Sequence, residues 1–389
     1  MIIEREIYAK IKPVINSSEA IILTGMRRVG KTTLLKFIMG KIDSDNKIFL
    51  DLENPATRKI LENENYDKIL ESFKLLGLNT EKQSYVFLDE IQFVKNSPSV
   101  VKYLMDNFKI KFFLSGSASF YLKNLFAESL AGRKYIFEMF PLSFSEFLKI
   151  KNVKTDIGSI SEKISKASFD ILDKYYDEYI HYGGFPGVVL KASDNEKKMM
   201  LDDVFSSYFQ LEIEQLSDFR KTNIIRDLIL LLMKRIGSRL DIQKLSKELG
   251  VSRETVYNYI SFLENTYFIK LIRPFSRNLD NEIKSIPKFY LCDSGLANHF
   301  ANVDSGALLE NAVFSALRNK GKLNYYQKKN GQEIDFILDE KFAIEVKTVP
   351  YEQDMKRLSV ISNSLKLDGY QIVSKKYSEM ENITYGFLL

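Results

Sequence analysis

Ile21-Ile22-Leu23-Thr24-Gly25-Met26-Arg27-Arg28-Val29-Gly30-Lys31-Thr32-Thr33 is an apolar run that breaks into a glycine-bounded loop and resumes with helical spacing through Leu34, Leu35, Phe37 and Ile38. Gly25 to Thr32 spell Gly-x-x-x-x-Gly-Lys-Thr, the pattern of a phosphate-binding loop. The two glycines let the backbone aim its amides at an anion, Lys31 supplies a point charge for β and γ phosphates, and the Thr32 hydroxyl suits Mg²⁺. The positive end of the following helix would face the same phosphates. Gly25 through Thr33 are therefore expected to hold ATP, with Thr32 on the metal.

Working outward, 389 residues with 45% hydrophobic content suffice for about two or three domains with real cores. A net charge of +5, from 56 basic and 51 acidic residues, permits nucleic-acid contact without demanding it. Cys292 is the single cysteine, which excludes a disulfide framework and a cysteine zinc site, and two histidines, His181 and His299, argue against a histidine metal site. Any metal must then be held by oxygen. The N-terminal residues are charged where a signal peptide would be apolar, and no apolar run is long enough for a membrane helix, so a cytoplasmic protein is expected.

Lys47 to Glu53 reads as a second strand, and residues 55–76 carry helical spacing. Tyr85-Val86-Phe87-Leu88-Asp89-Glu90 is a strand buried on both faces that ends in two carboxylates, the Walker B pattern. Asp89 is expected in the Mg²⁺ shell and Glu90 where it polarises an attacking water. Lys111 to Ser117 is a third buried strand ending in hydroxyl residues, which would equally serve to cap a helix from about Ala118. Residues 135–147 are expected to lead out of the core.

The order of these motifs, with Leu-Asp-Glu-Ile-Gln at 88–92, Ser-Gly-Ser at 115–117, Ser-Leu-Ala-Gly-Arg at 129–133, Pro-Leu-Ser-Phe-Ser-Glu at 141–146 and Gly-Gly-Phe-Pro at 183–186, resembles a large family of archaeal and bacterial AAA-type ATPases. Its members join that core to a winged helix and a restriction-endonuclease-like domain of unknown function. The resemblance implies a polar sensor near the γ phosphate, at Ser117 or alternatively Ser115. It also implies an arginine finger at Arg133, in cis or from a neighbouring subunit of a homo-oligomer.

Residues 151–222 read as a helical linker or lid whose Gly-Gly-Phe-Pro turn is structural. Leu240 to Gly250 is a helix with a glycine stop, and Val251 to Ile260 a second helix capped by Ser252, a helix-turn-helix followed by a wing strand at 268–272. In a DNA reader, Arg253, Thr255 and Asn258 would face the major groove. The alternative is a lid or partner dock.

In the last hundred residues, a helix near 305–320 carries Glu310, and strands follow at 323–327, 333–338 and 342–347. Period two puts Glu345 and Lys347 on one face. Asp335 followed by Glu345-x-Lys347 resembles the core of restriction-endonuclease-like nucleases, with Glu310 at the upstream acidic position. The resemblance implies Mg²⁺ on Glu310, Asp335 and Glu345, with Lys347 orienting the attacking water. A helix at 353–365 and a strand at 369–374 complete a small α/β domain.

The expected fold is α/β: an AAA-type core with a parallel sheet over 1–150, a helical linker over 151–222, a winged helix over 223–285 and a restriction-endonuclease-like domain over 286–389. Two functions are open, an ATPase controlling a DNA-binding, Mg²⁺-dependent nuclease, or an ATP-switched module that binds DNA or a partner and carries a silent nuclease-like domain.

Overall fold

A computed structural model describes residues 3–117, 130–153, 164–214, 222–277, 282, 285–328 and 331–389. Two compact units result, Met1–Phe140 with Asn265–Tyr267, and Pro141–Glu264 with Phe268–Leu389.

In the first unit the apolar run becomes β1 (Ala20–Gly25), buried at every position, and the loop opens directly into helix α1 (Lys31–Lys41). Strand β2 (Lys47–Asp51) precedes two helices, α2 (Pro55–Leu61) and α3 (Tyr66–Leu75). The helical stretch divides because Asn65 turns its side chain onto the Asp67 amide and starts a new helix. Strand β3 (Ser84–Asp89), helix α4 (Ser97–Asn107) and strands β4 (Ile110–Gly116) and β5 (Lys134–Met139) follow. The sheet order is β2-β3-β4-β1-β5 and every pairing is parallel. Continuous apolar runs suit such a sheet because helices cover both faces of its central strands. One expectation is corrected here: residues 134–139 do not leave the core but add an edge strand, Ile21 matching Tyr135 and Leu23 matching Phe137. Their half-buried pattern is that of an edge, which lacks a continuous apolar signal.

In the second unit, α5 (Lys166–Tyr182), α6 (Asp194–Tyr208) and α7 (Thr222–Lys234) are long helices. Helices α8 (Ile242–Leu249) and α9 (Arg253–Asn265) then form a tight pair. Asp241 caps α8 through the Lys244 amide, Gly250 ends it in the left-handed region, and the Ser252 hydroxyl accepts from the Thr255 amide to start α9. Strand β6 (Ile269–Ile272) pairs antiparallel with β7 (Lys288–Leu291), so the first strand of the expected C-terminal segment joins the strand after the helix pair. Helices α10 (Ser294–Ala301) and α11 (Ser305–Leu317) lead to a mixed sheet in the order β12-β11-β10-β9-β8. Its strands are β8 (Leu323–Gln327), β9 (Glu333–Leu338), β10 (Phe342–Lys347), β11 (Gly369–Ser374) and β12 (Ile383–Tyr385), with α12 (Glu352–Leu365) crossing from β10 to β11. Leu358 and Ile361 of α12 pack on Ile337, Ala343 and Ile372.

The Gly-Gly-Phe-Pro turn closes α5 against the start of α10. Gly184 donates its amide to Asp293 at 2.7 Å, and Asp293 also caps α10 through Gly295 at 2.9 Å. Burial pushes the Asp293 carboxyl up to about 6 against these donors. Gly183 has φ +78°, and a Cβ there would lie 1.9 Å from Asp293 Oδ1. Gly183→Ala should therefore lower the unfolding free energy by about 2 kcal/mol or more, since strain and clash act together. Urea unfolding measures this, and a loss below about 0.5 kcal/mol, the range of ordinary surface changes, would contradict the packing role.

Candidate nucleotide site and the C-terminal acidic cluster

The loop between β1 and α1 is shaped by steric necessity. Gly25 has φ +151°, and a Cβ on it would meet the Met139 carbonyl oxygen at 2.1 Å. Gly30 caps α1 at φ +97°, a conformation open chiefly to glycine. Lys31 Nζ is buried and donates to the carbonyls of Gly25 at 2.9 Å and Met26 at 3.0 Å, which holds it at the mouth of the loop. Met26 and Val29 are buried, Arg28 and Thr33 are exposed, and Thr32 is half-buried. Arg27 turns away from the solvent to lie 3.9 Å from Glu90 and over the Phe93 ring. Arg5, to which the motif gives no pointer, supports the loop from outside the pattern, donating to the Val29 carbonyl at 2.7 Å and the Phe140 carbonyl at 2.8 Å.

Because β4 lies between β1 and β3, the end of each strand meets its neighbour. Ser115 donates its hydroxyl to Asp89 and accepts the Glu90 amide at 3.2 Å. Burial raises the Asp89 carboxyl above the usual range, opposed by hydrogen bonds from Ser115 and Thr32, while Glu90 adds to the rise. Gln92 donates to Ser117 at 2.9 Å and to Glu90. Ser115 thus touches the Walker B aspartate itself, and Ser117 reaches Glu90 through Gln92. Thr32 and Asp89, a hydroxyl and a buried carboxylate in contact, are an oxygen donor set that fits Mg²⁺.

Arg133 lies elsewhere. Its carbonyl accepts the Ala20 amide at 2.9 Å, at the entry of β1, whereas the loop leaves β1 at Gly25. Five residue steps of strand separate the two ends, roughly 16 Å. Its guanidinium is half exposed and paired with Asp106 at the end of α4. Within this chain, then, the guanidinium is engaged at the end of the sheet away from the loop, which does not suit a finger acting in cis. Ser129, within the same expected motif, and the helix start near Ala118 lie outside the described residues.

At the C-terminal cluster, β9 and β10 run antiparallel with Ile344 opposite Phe336, which brings Asp335 beside Glu345 as expected. Asp335 accepts the Val346 amide at 2.8 Å. The expected metal set is not what surrounds them. Lys288 Nζ lies 2.5 Å from Glu333, 3.4 Å from Glu310 and 3.7 Å from Asp335, and Tyr290 donates to Glu310 at 2.6 Å. Glu345 instead pairs with Lys347 at 3.0 Å and with Arg357. Burial and the neighbouring Asp335 raise the Glu310 carboxyl, and burial raises Asp335 against the pull of Lys288. Among the described residues, no three acidic, histidine or cysteine side chains are arranged to hold an ion. The implied Mg²⁺ does not fit this arrangement as it stands, because one oxygen of each carboxylate already meets an ammonium or guanidinium group, although Glu345 Oε2 is buried without a hydrogen-bond partner. No sequence motif marks Lys288, Glu333, Tyr290 or Arg357 as members of this cluster.

On α9, Arg253, Tyr257 and Asn258 are exposed, and the Thr255 hydroxyl turns back to Ser252 at 2.9 Å. Among the described residues, no helix is long and apolar enough to cross a membrane.

The parallel sheet, the loop and the Asp89–Ser115 contact define a P-loop ATPase-like domain of the AAA type. Residues 17–148 match a family model described as an AAA domain, and two models for domains of unknown function, DUF8612 and DUF4143, match residues 173–307 and 305–385. The chain is 30% identical to the uncharacterized protein MJ1544 of Methanocaldococcus jannaschii, across 98% of this chain and 87% of that protein, and it belongs to the same family. An uncharacterized protein of Haemophilus influenzae is 28% identical across 93% of this chain and 90% of its own length. Among solved structures, the Walker-type ATPase PABY2304 of Pyrococcus abyssi superposes with a TM-score of 0.47 at 14% identity, covering 77% of this chain and 96% of that one.

Since the folded-state carboxyl of Asp89 is raised above its unfolded value, its ionised form costs stability at neutral and higher pH. That cost fades as pH falls through the folded and then the unfolded value, about 3.9. Asp89→Asn, neutral at every pH, should melt at a higher temperature than wild type near pH 8 without nucleotide, and the gap should close near pH 3. Thermal melting across that range checks it, and a lower melting temperature for the variant at pH 8 would contradict the account.

Proposed function

We propose that this chain binds ATP with Mg²⁺, hydrolyses it, and uses its nucleotide state to control binding of DNA through the α8–α9 pair. The observation that carries the reading is the contact of Ser115 with both Asp89 and Glu90 beside the Lys31 loop. In this reading the loop amides and Lys31 hold the β and γ phosphates, Thr32 and Asp89 hold Mg²⁺, and Glu90 polarises the attacking water. The metal, when bound, offsets charge developing on the phosphate oxygens. Ser115, Ser117 and Gln92 fix the carboxylates in place. Arg133 of a neighbouring protomer would complete the site in a homo-oligomer.

The α8–α9 pair with β6 and β7 is read as a winged helix whose Arg253 and Asn258 meet DNA. ATP and DNA as partners suit a cytoplasmic setting. For the C-terminal domain the reading is a restriction-endonuclease-like scaffold that docks and does not cut, since its carboxylates are paired with cations. The second reading, Mg²⁺-dependent cleavage by Glu310, Asp335, Glu345 and Lys347, draws support from the adjacency of Asp335 and Glu345 on paired strands. Plasmid nicking by wild type and Asp335→Ala separates the two: metal-dependent nicking lost in the variant selects cleavage.

Glu90→Gln should retain ATP and lose hydrolysis by about a hundredfold or more, the usual weight of a general base. Lys31→Ala should lose nucleotide binding. Mixing Lys31→Ala with Arg133→Ala protein should restore part of the hydrolysis each lacks; a mixture as inactive as its components rules out the shared site.

Arg253→Ala should weaken DNA binding and reduce the salt slope by about one. Fluorescence anisotropy over a salt series, with and without ATP, measures both. Unchanged affinity and slope would remove α9 as the DNA contact and favour a partner dock.

A further inference from the structure

Lys288 is the first residue of β7, a strand otherwise made of Phe289, Tyr290 and Leu291. A lysine among apolar neighbours in a paired strand would ordinarily turn outward, with its charge in water. Here the side chain is 6% exposed and runs inward, with Nζ in reach of the carboxylates of Glu310, Asp335 and Glu333. The ammonium also lies 5.7 Å from the Tyr325 ring centroid. These carboxylates come from α11 and β9, two elements separated in the chain by β8, and converge on one cation from a third.

A cleft of about 410 Å³ opens on this cluster, with Gly237, Arg239 and Gln327 along its rim. The rim is close: a Cβ on Gly237 would lie 3.2 Å from the Glu310 carboxylate, and Gly237 has φ +77°. Arg239 bridges to Lys288 through the backbone, so the segment entering α8 and the strand carrying the lysine are tied together. A hydrated Mg²⁺ needs carboxylate oxygens at about 2.1 Å and room for its waters. It would stand against an ammonium that already contacts all three acids, and like charges that close repel strongly where water is scarce.

We propose that Lys288 is the resident cation of this cluster: its ammonium holds the place between Glu310 and Asp335 that a divalent ion would need, and so excludes Mg²⁺ from the cleft. The proposal deepens the docking half of the functional reading and does not depend on ATP. Lys288 swinging out, with β7 or the Gly237–Arg239 turn moving, is the change that would admit a metal.

The test uses full-length, nucleotide-free protein with Tb³⁺ as the probe, excited through tyrosine, since Tyr290 and Tyr325 adjoin the cluster. Lys288→Met should gain a Tb³⁺ site, competed by Mg²⁺ and lost in Lys288→Met/Asp335→Asn, that binds at least about tenfold tighter than any Asp335-dependent signal in wild type. Lys288→Met should also melt lower than wild type without metal and recover with Mg²⁺. An Asp335-dependent Tb³⁺ site in wild type as tight as in the variant overturns the proposal, as does a folded Lys288→Met protein that gains none. If Lys288→Met does not fold at any metal concentration, wild-type melting decides. Stabilisation by Mg²⁺ that vanishes in Asp335→Asn overturns the proposal, and a melt indifferent to Mg²⁺ supports it. Nucleotide-binding failures leave these readouts unaffected, so the two readings fail separately.

Discussion

Everything in the first unit depends on one strand lying between two others. β4 is buried along its whole length, with β1 on one side and β3 on the other. Phe112, Phe113 and Leu114 have no exposed surface, and Phe113 stacks on Phe87 at 4.6 Å. Burying side chains of this size contributes about 2 kcal/mol each, enough to hold the register firmly. The register then delivers Ser115 to Asp89 and Glu90. A slip of one residue would turn every side chain to the other face and remove the hydroxyl from both.

The same packing explains how a carboxylate survives at the buried end of β3. Asp89 is 3% exposed, and a buried charge without partners is costly. Two hydroxyls, Ser115 and Thr32, reduce that cost without cancelling the charge. Glu90, one residue on, leaves the strand at φ +55°, a conformation that ordinary side chains adopt at a cost, and is held by Gln92 and Arg27. The strain is local and the restraints around it are several, which is how a side chain is kept aimed where the fold alone would not put it.

What could be read from the sequence was whatever has local period and local punctuation. The β1–loop–α1 transition, the β3 carboxylates and the α8–α9 pair with its Asp241, Gly250 and Ser252 signals all depend on residues within a few positions of one another. Features whose partners are distant were not legible. β5 is a strand only because β1, over a hundred positions earlier, lies beside it. The Gly183–Gly184 turn needs Asp293, which is 109 positions away from Gly184. Arg5 reaches Phe140 across 135 positions. Lys288 has the least signal of all, since a lysine at a strand start reads as solvated until α11 and β9 close over it. Arg133 shows the converse: the motif names the residue, but only the parallel pairing of β5 with β1 puts it at the far end of the sheet from the loop.

The two acidic sites therefore differ in what surrounds the carboxylates, and that difference decides what each can hold. Around Asp89 the contacts are hydroxyls, and the nearest ammonium, Lys31, is engaged by the loop carbonyls. Hydroxyls are neutral and serve as donors or as ligands, so the carboxylate keeps its charge available to an arriving cation. Around Glu310, Asp335 and Glu345 the contacts include ammonium and guanidinium groups, donors with no lone pair to offer a metal, beside the Tyr290 hydroxyl and the Val346 amide. Replacing the Lys288 contacts with an ion requires breaking buried charge contacts first, and an isolated buried charge is the costliest state either partner can occupy. Acidic residues at the right spacing are thus necessary for a metal site and insufficient for one; the cations packed against them set the outcome.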